Sequence, residues 1–568
     1  MSSGVAMGQM NSQGYHIERV NNTIYINSVS SLGCLYGVYG LLEELFNYEQ
    51  ISNDCYLLDT KTTVAVPTIN KTVSPDVELR LPSNGALLYD TTTAKRMGVG
   101  LGEDSWLLKA GDYTNNNGAG WKAWHNSLEV LPPDYWKAQG KTNWFSDDGT
   151  QLCYTAHGNP DDYSAMVAQI VNVMGIALSS SQVYNNPNVS FVTLTTEDGD
   201  GHCTCNACKS AKATYGSDVG AVIALCNDVR AGMEEWMDAN PTFKREITLL
   251  FFAYNAYLDA PAEYNSATGK YQFKGGLTMR PDVGVMYAVS DYVNYYFDIM
   301  HENNADFRQQ FEAWSDLTKA SGSKLGLWTY SKNFGAYMLR ADVYGGTAFF
   351  NNSAYRYFAE KGVDLWFNQG ATNGTTTLSA FEKLNGYIDS QMMRDSTQDV
   401  ELLTEKWFNA MYGEASTVMR TLYNAQNTMA RNVFGTTKEG IPTVSLSESA
   451  VKQKLTKKTL DTWFGYINEA KAAVAAYATS NPALYAKYIE RINEEWIAVE
   501  YLYVSLYYSK TLDFLDGVTV DVAKEKAAFR EVLGYDEATG TYTKDVLPNE
   551  RAACTIAQWV ESDFTKTI

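Results

Sequence analysis

Between residues 75 and 370 short apolar runs alternate with stretches of helical period, and this alternation limits the fold more than any other feature of the chain. The runs 77–81, 97–101, 152–155, 191–195, 247–254, 284–288, 324–328, 346–349 and 363–367 have strand length and are rich in apolar residues. Between them, 163–178, 219–238 and 304–320 repeat apolar residues three and four apart, as amphipathic helices do. Strands that alternate with helices build parallel sheets, because a parallel neighbour needs a long crossover. Roughly eight such steps in about 300 residues is what a TIM-type (β/α)8 barrel requires. An open doubly wound sheet competes, but its glycine fingerprint is missing: Gly98, Gly100 and Gly102 have the wrong spacing for G-x-G-x-x-G.

The flanks read differently. Residues 14–20 and 23–27 alternate around Asn21 and Asn22, which predicts a hairpin. Ser30 and Ser31 offer an N-cap to a helix over 32–46, where Leu35, Val38, Tyr39, Leu42 and Leu45 share helical spacing. After residue 377 the pattern is helical throughout, over 379–391, 399–412, 415–432, 447–479 and 481–508. The expected α/β architecture is therefore a small α/β domain over 1–72, a (β/α)8 barrel over 73–377 and an all-helical domain over 378–568. Residues 1–5 lack the basic region and apolar core of a signal peptide, and a start so near the first hairpin reads as a mature or truncated amino terminus. No apolar run approaches the ~20 residues of a membrane span.

Composition narrows the function. With 45 Lys and Arg against 65 Asp and Glu, the net charge of −20 repels phosphate backbones and argues against a nucleic-acid partner. Five His make a multi-histidine metal centre hard to build, and eight Cys are too few for a disulfide framework. Neither a Gly-x-Ser-x-Gly elbow nor a His-Glu-x-x-His motif occurs, which weakens lipase and peptidase readings. The 39 Tyr and 13 Trp suit sugar recognition by stacking rings and hydroxyls, although packing explains most of them.

Barrel chemistry sits at the carboxyl ends of strands. The run 191–195 leads directly into Glu197, Asp198 and Asp200, three carboxylates among glycines. Such crowding lets one carboxyl hold a proton while another is ionised; a solvated acidic loop is the plain alternative. Immediately after, Cys203-x-Cys205-x-x-Cys208 has the density of a structural metal site. Its fourth ligand would be His202, a carboxylate or a remote residue, and a cluster of free thiols or a local disulfide is the competing reading. Other strand ends carry Tyr254, Tyr287, Trp328, Tyr330, Asn368 and Gln369, with Asp291 as the best second carboxylate and His125 near an earlier end. Each alone reads equally well as packing; together they suit a sugar pocket.

Several of these residues carry a family resemblance. Trp328-Thr329-Tyr330-Ser331-Lys332-Asn333-Phe334, Phe358-Ala359-Glu360-Lys361-Gly362-Val363 and Phe367-Asn368-Gln369-Gly370 resemble the bacterial domain-of-unknown-function family 4838. So do Asp198-Gly199 with the Cys203-x-Cys205-x-x-Cys208 run, and Trp407 with Tyr412-Gly413-Glu414-Ala415. The resemblance spans 75–423. The amino-terminal unit, with Gly33-x-x-Tyr36-Gly37-Val38-Tyr39, is similar to the small domain before the barrel of α-glucuronidases and β-hexosaminidases. These resemblances imply a glycoside-hydrolase-like barrel of polysaccharide-digesting bacteria, hence a secreted, periplasmic or cell-envelope location. Asp198 matches a recurrent aspartate of the family, while Glu197 falls where other residues are common. The β-hexosaminidases carry Asp-Glu at a comparable strand end; here the order is Glu-Asp.

The expectation is a glycoside hydrolase in which Asp198 (or Glu197) protonates the leaving oxygen and Asp291 acts as nucleophile or base. Trp328, Tyr330, Tyr254, Tyr287, Asn368, Gln369 and His125 would hold the sugar. No cofactor is required, and a structural zinc on Cys203, Cys205 and Cys208 would anchor the loop presenting Asp198. A non-catalytic glycan-binding protein on the same scaffold is the alternative, and a hydrolase using metal at the cysteines is a third reading.

Overall fold

A computed structural model of the chain describes residues 10–83, 90–99, 124–186, 189–289, 292–332, 334–335, 337–338, 349–370, 379–434, 449–508, 518–549 and 552–567. The expected hairpin is β1 (Tyr15–Val20) with β2 (Thr23–Asn27), turning at Asn21 in the left-handed region. α1 (Ser31–Phe46) follows, and the Ser30 hydroxyl accepts the Gly33 amide as its cap. Glycine is needed at two points of α1 for close approach: a Cβ on Gly33 would lie 2.5 Å from the Gly14 carbonyl, and one on Gly37 would strike Ile26. A second hairpin, β3 (Glu49–Ser52) with β4 (Cys55–Leu57), comes next. β5 (Asn70–Val73) returns antiparallel to β1. Tyr15, Ile17, Tyr36 and Ile69 form the small core of this unit.

The central sheet has six parallel strands: β6 (Leu79–Ser83), β7 (Phe191–Thr193), β8 (Thr248–Ala253), β11 (Val283–Ala288), β12 (Leu325–Tyr330) and β13 (Leu365–Gln369). The hairpin of β9 (Ala262–Asn265) and β10 (Lys270–Phe273) lies in the connection between β8 and β11. The order is β6-β13-β12-β11-β8-β7. From β7 onward each strand sits one place further in the same direction, and the last strand pairs with the first. That is the cyclic order of a barrel opened between its first and second strands. A doubly wound sheet would reverse direction at a switch point, and this one does not.

The helices of the crossovers are α2 (Pro160–Ser179) before β7, α3 (Asn206–Tyr215) and α4 (Val219–Ala239) before β8, α5 (Ala305–Ser321) before β12 and α6 (Asn352–Lys361) before β13. Crossovers of one hand stepping in one direction deliver their helices to one face of the sheet. Phe251 accordingly meets Trp314 of α5, Tyr287 meets Phe307 and Phe311, and Trp366 meets Tyr355 and Phe358 of α6. β11 and β12 are buried along their whole length, which explains their unbroken apolar sequence.

The eight-step expectation is met only in part. Met97–Val99 follow a short helix as a turn; Leu152 makes one antiparallel bridge to Phe145, and neither segment joins the sheet. The edge strands β6 and β7 do not pair with each other. A short 3-10 turn (Asn255–Tyr257) and two antiparallel strands, rather than an α-helix, fill the β8–β11 connection among the described residues.

Beyond residue 379, α7 (Glu382–Arg394), α8 (Val400–Tyr412), α9 (Ser416–Phe434), α10 (Lys457–Ala473), α11 (Pro482–Tyr507), α12 (Val522–Val532) and α13 (Ile556–Glu561) dominate. A two-residue-strand hairpin at Tyr535–Asp536 and Thr541–Tyr542 interrupts them, so the region is not all-helical. One apolar core runs from Ile51 through the sheet to Phe564, across the expected boundaries at 72 and 377. No helix among the described residues is long and apolar enough to cross a membrane.

Candidate functional site

Strand pleat decides which side chains can meet at the carboxyl end of the sheet. Residues paired in register between parallel strands point to the same face, and neighbours along a strand point to opposite faces. Trp328 pairs with Phe367, and Tyr330 with Gln369. These four share the face opposite the crossover helices with Phe252 and Tyr254. With Trp124, the rings of Phe367, Trp328, Phe252 and Tyr254 form an unbroken series. Trp328 meets Phe367 edge-on at 4.3 Å, Trp124 packs at 5.3 Å from Trp328 and stacks at 5.2 Å on Phe252, and Phe252 lies 6.0 Å from Tyr254. The indole N–H of Trp328 donates to Gln369 Oε1 at 3.0 Å. Tyr330 packs edge-on against Phe334.

The series ends at a carboxylate. The Tyr254 hydroxyl donates to Asp198 Oδ1 at 3.0 Å, and the Gly199 amide donates to the same oxygen at 2.9 Å. Burial and the Asp198 charge both push the Tyr254 phenol well above its ordinary pKa, so it stays a donor. Gly199 has φ +102°, which turns the chain directly behind Asp198 in a conformation suited to glycine. Asp198 is exposed. His125, with φ +51°, sits over Phe252 and Tyr254 at 5.1 and 5.7 Å. Its Nδ1 donates to the Thr196 carbonyl at 2.9 Å, since a carbonyl can only accept.

Glu197 is occupied differently. Its Oε1 accepts the Ser127 hydroxyl at 2.9 Å and the Leu128 amide at 2.7 Å, at the start of the short helix Ser127–Val130. Its backbone is clasped by Gln151, whose amide nitrogen donates to the Glu197 carbonyl while its oxygen accepts the Glu197 N–H, both at 3.0 Å. Glu197 therefore joins two segments, whereas Asp198 faces outward.

Two expected sugar contacts lie on the helix side of the sheet. Tyr287 pairs with Ala253 and Leu327 and is fully buried between Phe307 and Phe311. Asn368, also buried, accepts the Thr329 hydroxyl at 2.9 Å and donates to Asp389 Oδ2 of α7 at 2.9 Å. Both are one residue out of phase with the aromatic face. Asp291 lies outside the described residues.

The three expected cysteines come together with a fourth. The sulfurs of Cys153, Cys203, Cys205 and Cys208 all lie within 4.8 Å of one another, and His202 is not among them. All four are free thiols; only Cys205 is not buried.

A family model described as "Domain of unknown function (DUF4838)" matches residues 51–424. The chain belongs to this family. No curated protein matches it. Among solved structures it is similar to a GH138 enzyme targeting pectin rhamnogalacturonan II, with 11% identity, a TM-score of 0.43 and coverage of 88% of this chain and 64% of that one. A family 89 glycoside hydrolase from Clostridium perfringens gives 10% identity, a TM-score of 0.45 and coverage of 92% and 61%. A beta-N-acetylhexosaminidase gives 12%, 0.29, 75% and 90%. The chain thus spans less than two thirds of the first two structures.

Sequence reasoning missed three features of this DUF4838 chain. Phe252 and Phe367 were findable, each two residues before a chosen end residue and so on its face. Cys153 is separated from Cys203 by two α-helices and a strand, and nothing local announces it as a member of the cluster. The helix-start role of Glu197 depends on Ser127 and Leu128, which the sequence places far away.

Proposed function

We propose that this DUF4838 member is a glycoside-hydrolase-like enzyme that cleaves a glycosidic bond at the carboxyl end of its parallel sheet. The observation that carries the reading is the aromatic series from Phe367 through Trp328, Trp124 and Phe252 to the Tyr254–Asp198 pair. Apolar ring faces stack on aromatic ones, and Gln369 and His125 add polar groups beside them. Of the two adjacent carboxylates, Asp198 is the better proton donor to the leaving oxygen, because Glu197 is engaged at the start of a helix. Asp291 is the proposed second carboxylate, as nucleophile or base, and its separation from Asp198 would set retention or inversion. The same reading puts the protein in the cell envelope or outside the cell, where polysaccharide is met.

Wild type, Asp198→Asn and Asp291→Asn are assayed on plant, host and microbial glycans for released reducing sugar. Release by wild type and its loss in both variants, with unchanged Tm, is the expected result. One observation favours a second reading: Asp198 is the one outward-facing carboxylate that the described residues put on the aromatic series. A non-catalytic glycan-binding protein needs no partner for it. Binding without release by wild type, and binding lost in Trp328→Ala, would move the assignment there.

A further inference from the structure

We infer that Cys153, Cys203, Cys205 and Cys208 form a closed tetrathiolate zinc site that fixes the loop carrying Asp198. Zinc–sulfur bonds of about 2.3 Å in a tetrahedron give sulfur–sulfur edges of about 3.8 Å. Cys153 Sγ lies 3.8 Å from Cys205 Sγ and 3.7 Å from Cys208 Sγ. All six pairs fall within 4.8 Å, so one metal ion can reach every sulfur, whereas an iron–sulfur cluster spreads its thiolates around several irons.

The surroundings suit the charge such a site would carry. Four thiolates on a divalent ion leave a net charge of −2, which needs donors around the sulfurs. The His157 amide donates to Cys153 Sγ at 3.1 Å and the Cys208 amide to Cys205 Sγ at 3.4 Å. The Thr155 hydroxyl lies 3.2 Å from Cys208 Sγ. Cys205 is also the N-cap of α3, so the positive end of that helix faces the cluster. Four protein ligands fill a tetrahedron and leave no position for water or substrate, which makes the site structural and speaks against metal-dependent hydrolysis there.

Its consequence is positional. The loop from Glu197 to Cys203 is held at one end by Gln151 and at the other by a metal whose remote ligand is Cys153, two residues along the same segment. Both anchors therefore tie the Asp198 loop to residues 151–153. The zinc reading does not depend on the hydrolase reading, because metal content is measured without any glycan.

The test uses the full chain purified from zinc-supplemented medium without a histidine tag. Elemental analysis is expected to give one zinc per chain, and titration with a mercurial is expected to release it as thiols react, read with a chromophoric zinc chelator. Cobalt exchanged into the site is expected to show the strong visible bands of tetrahedral thiolate coordination. Cys153→Ser is expected to lose most of the zinc and Cys34→Ser to keep it; the wild-type measurements decide the matter if Cys153→Ser does not fold. On zinc removal, amide exchange over 198–208 should rise by about tenfold or more. One iron per chain would overturn the zinc assignment. No bound metal after refolding in zinc, with all four thiols reacting freely, would overturn the site.

Discussion

At the scale of single residues, Glu197 and Asp198 show how neighbours acquire different work. The chain passes from a strand into a turn, so consecutive side chains diverge: Glu197 reaches back to the Leu128 amide, and Asp198 reaches out to Tyr254. Substitution separates the two. Glu197→Ala should lower stability by about 1–3 kcal/mol, because it strips a charged acceptor from two donors, and should appear as a reduced Tm. Asp198→Asn should leave Tm nearly unchanged. Tyr254→Phe removes one hydrogen bond to Asp198, worth about 1 kcal/mol, so kcat/KM or glycan affinity should fall about fivefold with the fold intact. The place of this carboxylate pair just past a strand end was legible in the sequence, from the apolar run before it. The division of labour was not, since it rests on Ser127, Leu128 and Gln151, and no local pattern links them to position 197.

Among elements, strands were easier to read than connections. β11 and β12 are buried on both faces, and β8 and β13 nearly so, so their sequences are mostly apolar and stand out. The same burial hid the pleat: with no polar alternation, nothing told Asn368 apart from Gln369 or Tyr287 from Ala288. Helices are legible for the opposite reason, because one face stays wet. The predicted helix over 481–508 is α11 almost to the residue, yet its buried Glu500 gives no sign in the sequence of what it meets. It faces Glu525 of α12, also buried. Burial, then the neighbouring Glu525 charge, push the Glu500 carboxyl up to about 9, against a smaller opposing pull from Lys524. The folded chain therefore holds a proton that the unfolded chain releases above its ordinary pKa of about 4.3. Stability should be greatest, as far as this group is concerned, below that value, and should fall as pH rises towards 9. Glu500→Gln should flatten that slope and stabilise the protein by about 1–3 kcal/mol at pH ~8. Calorimetric Tm values at about pH 5 and pH 8 for both proteins test it; parallel slopes would remove Glu500 from the account.

Over the whole molecule, the second hairpin and the long carboxy-terminal helix are locked by one ion cluster. Asp54, in the turn between β3 and β4, receives Arg491 Nε from α11 at 2.8 Å across 437 residues of sequence. Arg491 also donates to the Asp54 carbonyl at 3.0 Å and, from its other terminal nitrogen, to the Met411 carbonyl at 2.9 Å. Lys383 of α7 lies 3.8 Å from Asp54 and bonds Glu494 at 2.9 Å. Four segments with separate sequence signatures thus meet around the Asp54–Arg491 pair, and one apolar core runs through all of them. Burial alone would raise the Asp54 carboxyl; Lys383, the Ser52 hydroxyl and Arg491 outweigh it and hold the pKa at about 2. Because the folded value is depressed, the stability it brings is complete above the unfolded pKa of about 3.9 and is lost as pH falls from there towards 2. Asp54 is one-third exposed, so solvent screening reduces the contribution to about 1–2 kcal/mol. Asp54→Asn should lower Tm at neutral pH and lose less of it on acidification than wild type does. Arg491→Met should be worse, by about 1–3 kcal/mol more, because it takes one cation from Asp54 and also leaves the Asp54 and Met411 carbonyls without their donor. Thermal melts at pH ~7 and ~3 for the three proteins separate these outcomes: equal acid sensitivity in all three would mean that the clasp packs the hairpin without holding it electrostatically.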